Sequence, residues 1–502
     1  MFTAELERLL QRPVIVALGV GTLLGVGFYW AGLWWLFLPG VVWLIAIIAH
    51  TTLRQAVLIT WLAWWWKALL VLSFFWYTYP IEWLSAAPAT QLFLIFWYWS
   101  TTALWVSIGG VIFAVGAWYW FRYVPRFWDW VGLPGLWVVA ELSGAVSFSI
   151  ILAGPGSTFG VAFGYGFLGY LLAYHQLLFH LSQWGGVVAL TVTAILIGLG
   201  SYRLLIYVSP HYRIPASLVI LVGFALSGSL STVHPSPTSG EGTKVAVVAT
   251  EFPSNMAITI DGEAQKSHAI LAALAMAPAD SFEYVLLPEY ARVYEAQGVS
   301  PIQLLRIRDQ IGSTATIIQS GPYRDLTGLS LRGSIVRLAD LQTFNADKQQ
   351  LVPQGEYMPH FHRWFLNVFG QRENVSAVID RLEYRAGPLA TQIFPEGVPS
   401  ILFCFESAHP FSVWRLLQQH QGTPPFIAHP ISHVWFHAPT AMWQQKHTML
   451  RVHARWQGVP IVAGGNFAPS AVYLPDGTKQ TTATAERLVT QPNITVYVFS
   501  LP

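Results

Sequence analysis

Seven apolar runs, each about 20 residues long, crowd the first 232 positions, at roughly 13–30, 33–49, 56–77, 98–120, 131–152, 183–201 and 214–231. A helix needs about 20 such residues to cross the hydrocarbon layer of a bilayer. The same stretch holds 13 charged side chains (8 Lys/Arg and 5 Asp/Glu), against 39 in residues 233–502, and 19 of the 24 Trp. A water-exposed domain so poor in charge could not cover its surface with polar groups. The first part is therefore expected to be a membrane domain (1–232), and the rest a globular domain (245–502) joined to it by a linker (233–244). The joint itself is the polar, Gly/Ser/Pro-rich stretch from Ser227 to Lys244.

The basic residues set an expected orientation, because cytoplasmic loops carry the excess of Lys and Arg. Arg8 and Arg12 precede the first run, and Arg54 separates the second from the third. Arg122 and Arg126 separate the fourth from the fifth, and Arg203 and Arg213 the sixth from the seventh. The loops 31–32, 78–97 and 153–182 hold neither Lys nor Arg. Seven spans put all the basic loops on one side. An eighth, at 157–178, would move Arg203 and Arg213 across, so that Gly-rich stretch is read as re-entrant or interfacial. The globular domain is then expected outside the cytoplasm. Lys67 and Glu141, within or near spans, are read either as the polar lining of a lipid path or as groups satisfied between helices.

Beyond residue 244, short Val/Ile/Leu-rich runs alternate with longer mixed segments. Strands are expected at 245–250, 284–288, 314–320, 333–339, 400–405, 460–465, 470–475 and 494–500, and helices at 262–277 and 440–457. Near-continuous apolar strands indicate burial on both faces, hence an α/β domain with helices covering the sheet. A net charge of +2 points to no nucleic-acid partner, and a single cysteine, Cys404, excludes an internal disulfide.

Three places put an ionisable group at the end of a buried strand: Glu289 after VLLP, Lys348 with Glu356 in DKQQLVPQGEYMP, and Cys404 with Glu406 in LFCFES. Each alone has an ordinary reading as a loop carboxylate, a surface lysine or a buried thiol. Together they make chemical sense. A thiolate is a nucleophile whose pKa a nearby cation lowers. A carboxylate can carry its proton to the leaving group. An ammonium and the backbone N–H after the cysteine can hold an oxyanion. The sequence holds no P-loop, no Gly-x-Ser-x-Gly, no Cys-x-x-Cys and no His-Glu-x-x-His. His429, His433 and His437 are spaced by four, but Pro430 and the Val-Trp-Phe run make poor helix sequence, so no metal site is read there, and no cofactor is expected.

These three places, in this order, resemble the nitrilase (carbon–nitrogen hydrolase) superfamily, and the whole chain resembles its apolipoprotein N-acyltransferase family. The most specific match is Lys348 to Pro359, KQQLVPQGEYMP, similar to that family's Lys-x-x-Leu-Val-Pro-x-Gly-Glu-[Tyr/Phe]-x-Pro block. Leu287-Pro288-Glu289 matches its Trp-Pro-Glu, and Cys404-Phe405-Glu406 its Cys-Tyr-Glu. Trp137 to Leu142, the Phe-Gly-Tyr at 163–165, Trp435-Phe436, Trp443-Gln444 and Ser470 to Gly477 add weaker matches.

The resemblance implies a multi-span helical domain followed by an αββα sandwich. It implies Glu289 as general base, Lys348 as oxyanion stabiliser and Cys404 as acyl-accepting nucleophile. Glu356, Glu406 and Phe405 would support them, and Trp435 and Phe436 would contact substrate. The implied reaction moves an acyl chain from a phospholipid, through a cysteine thioester, to the N-terminal diacylglyceryl-cysteine of an apolipoprotein, at the outer face of a bacterial inner membrane. Phe405 in place of Tyr, Leu287 in place of Trp, EFPSNMAITI without its Trp, HPISHVWFH without an Asn-Asp pair, and no C-terminal span after Pro502 depart from the family pattern. Two alternatives stay open. One is the same chemistry with another acceptor, as an amidase or hydrolase or in a conjugative-transfer protein. The other is an inactive membrane scaffold.

Overall fold

The computed structural model describes residues 11–81, 87–154, 157–207, 213–229, 242–253, 260–278, 281–294, 301–312, 314–326, 328–368, 370, 373, 376, 383–387, 393–437 and 439–502. The linker and the segment EFPSNMAITI fall for the most part outside these.

The N-terminal part is helical. Its helices are Pro13–Tyr29, Phe37–His50, Leu53–Val71, Pro88–Val106, Ile108–Tyr123, Asp129–Ile151, Gly186–Tyr207 and Arg213–Ser229, with two single turns at Gly169–Leu172 and Gln176–Phe179. Among the described residues, five helical segments are long and apolar enough to cross a membrane: Ala31–His50, Leu53–Thr78, Pro88–Tyr123, Arg126–Ile151 and Gly186–Tyr207. Local sequence explains their starts. Proline opens Pro13–Tyr29 and Pro88–Val106, where a missing N–H costs nothing, and Thr52 with Gln55 forms a capping box before Leu53. The expected span at 98–120 is longer than read: helix begins at Pro88, inside the 78–97 stretch taken for a loop. Glycine sets how closely helix Asp129–Ile151 approaches Ile108–Tyr123 and the end of Pro88–Val106. A Cβ on Gly109 would lie 2.2 Å from the Ala140 carbonyl oxygen, and one on Gly144 would lie 2.5 Å from that of Val106. The 157–178 segment is largely irregular and mostly buried.

The C-terminal region is sheet-rich. Its strands are β1 (Lys244–Thr250), β2 (Tyr284–Leu286), β3 (Thr316–Asp325), β4 (Gly328–Arg337), β5 (Thr343–Asp347), β6 (Ser400–Ile401), β7 (Ile427–Ser432), β8 (Ile461–Asn466), β9 (Ala471–Tyr473), β10 (Lys479–Thr481), β11 (Glu486–Gln491) and β12 (Ile494–Ser500). Two sheets, β11-β12-β1-β2-β3-β4-β5 and β6-β7-β8-β9-β10, are joined through the single pair Thr250–Asn466. Strand alternation builds the layers. Val245 and Val247 point inward to meet Ile401, Phe403, Ala428 and Val462 of the second sheet. Ala246 and Val248 point outward into a core shared with Ile270 and Ile307 of helices Ile260–Ala275 and Pro301–Ile311. On the far side, Ile427, Ile431 and Ile461 pack against Leu450 and Ala454 of helix Thr440–Gln457. The order of layers is helix, sheet, sheet, helix.

Helix Thr440–Gln457 has a second attachment. Its Met442, Met449 and Val452 belong to the core of the N-terminal helices. Gln445 Nε2 donates to the Val71 carbonyl at 2.9 Å, and the Gly164 amide donates to the Ala408 carbonyl at 2.7 Å. The helical part and the sheet-rich part therefore share one packed interface.

Candidate active site

Each candidate side chain is delivered by a strand that stops beside it. β2 ends at Leu286, and the Glu289 amide donates to the Ile431 carbonyl at 3.3 Å, pinning the turn to β7. The next residue, Tyr290, has φ 60°, a left-handed conformation uncommon for an aromatic residue. That turn sends the Tyr290 hydroxyl to Glu356 Oε1 at 2.8 Å. β5 ends at Asp347, and the Lys348 amide donates to the Leu331 carbonyl at 2.8 Å. The paired part of β6 ends at Ile401, shorter than the expected 400–405 run. Leu402 still bonds to the Ala428 carbonyl at 2.8 Å, and Cys404 then sits in a tight turn before the 3-10 turn Glu406–Ala408.

Glu289, Lys348 and Glu356 meet. Lys348 Nζ lies 3.0 Å from Glu289 Oε1 and 2.7 Å from Glu356 Oε1, and all three side chains are buried. Glu356 also accepts from the Val352 amide at 2.8 Å through Oε2, so Tyr290, Lys348 and Val352 fix it from three sides. Burial alone would lower the Lys348 pKa, but the two carboxylates outweigh it and hold the ammonium above the usual lysine range. Burial pushes Glu289 up, against the pull of Lys348 and helped by the charge of Glu356. Burial and the second carboxylate make Glu289 a stronger base than a free carboxylate.

The Cys404 thiol is buried, and burial raises its pKa; Lys446 pulls it down, Glu289 pushes it up, and Lys348 pulls it down. Lys446 was not singled out in the sequence. Its Nζ donates to Cys404 Sγ at 3.2 Å and to the Cys404 carbonyl at 2.8 Å, and lies 3.4 Å from His433 Nε2. A signal for it exists: Lys446 falls on the helical stripe of Met442, Met449, Leu450 and His453, where the period calls for an apolar side chain.

Glu406 links the loops. It accepts from the Gln349 and Gln350 amides at 2.7 and 3.2 Å and from the Phe403 amide at 3.1 Å, tying the cysteine turn to the segment after Lys348. Burial pushes its carboxyl up to about 7 against these donors. Phe405 lines a cleft with Ser149, Leu152, Ala162, Gln350 and Tyr357, between the helical part and the sheet-rich part. Phe436 packs against Phe74 and His433, with ring centroids 6.1 and 6.4 Å apart, and Trp435 lies in the same turn.

The three histidines do not converge. His429 Nδ1 bonds the Leu402 carbonyl at 2.6 Å, His433 Nδ1 accepts from Trp443 Nε1 at 2.9 Å, and His437 reaches the Pro80 carbonyl at 3.2 Å. None is on a helix: His429 lies in β7, and His433 and His437 lie in the irregular segment that follows it.

No family model matches the chain, and no curated protein matches it significantly. Among solved structures, a glutamine-dependent NAD(+) synthetase from Cytophaga hutchinsonii is similar at 11% identity and a TM-score of 0.33, over 52% of this chain. The match spans 43% of that protein, less than half its length.

Proposed function

We propose that this chain is a membrane acyltransferase with nitrilase-type Glu-Lys-Cys chemistry. Cys404 takes an acyl chain from a phospholipid as a thioester and passes it to an amine, the N-terminal diacylglyceryl-cysteine of an apolipoprotein. The observation that carries this reading is the meeting of three strand ends. The Glu289 amide bonds to the Ile431 carbonyl and the Cys404 sulfur to the Ser432 carbonyl, so the buried Glu289–Lys348 pair and the one thiol of the chain share the end of β7.

The roles follow from the geometry. With its pKa raised by burial, the thiol is protonated at rest and needs a base during attack. Glu289, also raised, is matched to take that proton and return it to the leaving alcohol. Lys348, held by two carboxylates, offers its ammonium to the oxyanion formed at the ester carbonyl. Glu356 and Glu406 hold the Lys348 and Cys404 loops in register. The helical part gives a lipid substrate a route. Phe163, Tyr165, Phe74 and Phe436 form a row with successive ring centroids 5.6, 5.2 and 6.1 Å apart, starting at a cavity that Lys67 and Glu141 also line. In this reading Trp435, Phe436 and Phe405 contact the acyl substrate, and the sheet-rich region lies on the extracytoplasmic side of a bacterial inner membrane.

The test is an acyl-enzyme assay. Purified protein is incubated with phosphatidylethanolamine labelled in its acyl chain. A hydroxylamine-sensitive adduct that Cys404→Ala abolishes is expected, followed by discharge to a diacylglyceryl peptide. Absence of the adduct would sink the proposal. Discharge to water but not to the peptide would make the protein a hydrolase.

A further inference from the structure

Lys348 is a poor candidate for holding a thiolate. Its charge is shared between Glu289 at 3.0 Å and Glu356 at 2.7 Å, and the three groups together carry no net positive charge. Lys446 is different. Among the described residues no carboxylate pairs with it, it is buried, and its Nζ reaches both the sulfur and the carbonyl oxygen of Cys404. The other hydrogen bond of that sulfur is a long one, 3.9 Å to the Ser432 carbonyl.

We propose that Lys446 is a second catalytic cation of this site, and that it stabilises the Cys404 thiolate by direct N–H···S contact while Lys348 serves the substrate oxygen. This rests on reading Cys404 as the nucleophile. The S–H proton passes to the Glu289 carboxylate, and the electron pair left on sulfur faces the Lys446 ammonium. Sulfur then bonds the ester carbonyl carbon, the carbon–oxygen bond breaks, and the alcohol leaves with the proton from Glu289. In the thioester the sulfur is neutral, and Lys446 keeps its bond to the Cys404 carbonyl. When the amine nitrogen bonds the thioester carbon, its proton passes to the Glu289 carboxylate, the carbon–sulfur bond breaks, and the departing thiolate meets the same ammonium before the proton returns to sulfur. One cation thus serves both half-reactions.

The surroundings favour this division. His433, His429 and His447 border Lys446, and burial pushes all three down, leaving them neutral beside it. The indole N–H of Trp443 is donated to His433 Nδ1, so the neutral ring carries its proton on Nε2 and accepts nothing from Lys446, whose donors go to the sulfur and the Cys404 carbonyl. The groups acting on the sulfur are then Lys446 from its helix and Glu289 and Lys348 from the ends of β2 and β5, while the Tyr165 hydroxyl of the helical part lies near enough to feel the sulfur's charge.

Because the chain has one cysteine, every thiol signal reports Cys404. The test measures iodoacetamide alkylation of the full-length protein in detergent micelles against pH, by intact mass, and needs no lipid substrate. Lys446→Met and Lys446→Gln are expected to move the alkylation midpoint up by about one pH unit or more, slowing alkylation about tenfold at neutral pH. Lys446→Arg keeps the charge and is expected to keep the midpoint near that of the parent. An unchanged midpoint in Lys446→Met or Lys446→Gln overturns the proposal. If neither gives monodisperse protein, Lys446→Arg decides: with the charge kept, a midpoint raised above the parent's by as much as the roughly one unit expected of the neutral variants also overturns it. A shifted midpoint in a protein that never forms the acyl adduct leaves Lys446 in place and removes the acyltransferase reading.

Discussion

The hydroxyl of Tyr357 donates to the backbone carbonyl of Leu152 at 2.9 Å. Leu152 ends helix Asp129–Ile151, and Tyr357 follows Glu356 directly, so the last turn of an apolar helix is fastened to the loop that holds Lys348. Tyr357→Phe leaves that buried carbonyl without its partner, a loss of about 1–3 kcal/mol. Its thermal unfolding midpoint is expected to fall, and acyl-adduct formation to slow more than the stability loss explains. An unchanged adduct rate would mean that the fastening is structural only.

Removing the ammonium between Glu289 and Glu356 leaves two buried carboxylates facing each other. Lys348→Met is expected to lose about 3–5 kcal/mol of stability. Lys348→Met combined with Glu289→Gln removes one charge and restores part of that loss, without restoring acyl transfer. Thermal melts of the parent, the single and the double variant test this. A double variant no more stable than the single one contradicts it.

Glu406 predicts a pH slope. Its folded pKa, about 7, lies above the ordinary value of 4.5, so between those limits the folded state binds more protons than the unfolded one. Stability from this group is complete below about pH 4.5 and is lost as pH rises toward 7. The side chain is partly exposed, so the loss is on the order of 1–2 kcal/mol. Glu406→Gln is expected to flatten the stability–pH curve over this window. It also lowers the curve throughout, because its amide NH₂ faces a backbone donor that the carboxylate accepted. An undiminished slope in the variant would assign the titration elsewhere.

Within the helical part, Lys67 lies 3.7 Å from Glu141 Oε1, and Glu141 also accepts from Trp137 Nε1, the Leu168 amide and Thr191 Oγ1. Glu141→Leu strands all four donors, and the yield of monodisperse protein after detergent extraction is expected to collapse. Glu141→Gln, which keeps an acceptor, is expected to retain most of it. Equal yields from the two would deny the cluster a structural role.

Much of the sheet-rich region was legible because its strands are buried on both faces and read as unbroken apolar runs. Glu289 and Cys404 stood out at the ends of such runs, whereas Lys348 follows β5, TFNAD, a polar strand that the pattern did not reveal. The 440–457 helix was expected, and Thr440–Gln457 is helical. β7 was not legible: IAHPIS carries a histidine and a proline that read as a turn, yet it is a central strand between β6 and β8. Lys446 was missed because a lone lysine in mid-helix is ordinarily solvent-facing; its place on the apolar stripe marks it as buried, and only tertiary packing shows that the stripe faces the sulfur.

Helix Thr440–Gln457 is the outer layer of the second sheet and, through Met442, Met449 and Val452, also part of the core of the N-terminal helices. The chain is therefore not severable at its polar joint. A fragment beginning near residue 242 would keep Glu289, Lys348 and Cys404 but bare Met442 and Met449, one helical turn to either side of Lys446. Such a fragment is expected to be sticky and thiol-silent, and co-expression with residues 1–232 is expected to rescue both properties. The reactive half of this protein ends, in effect, inside its other half.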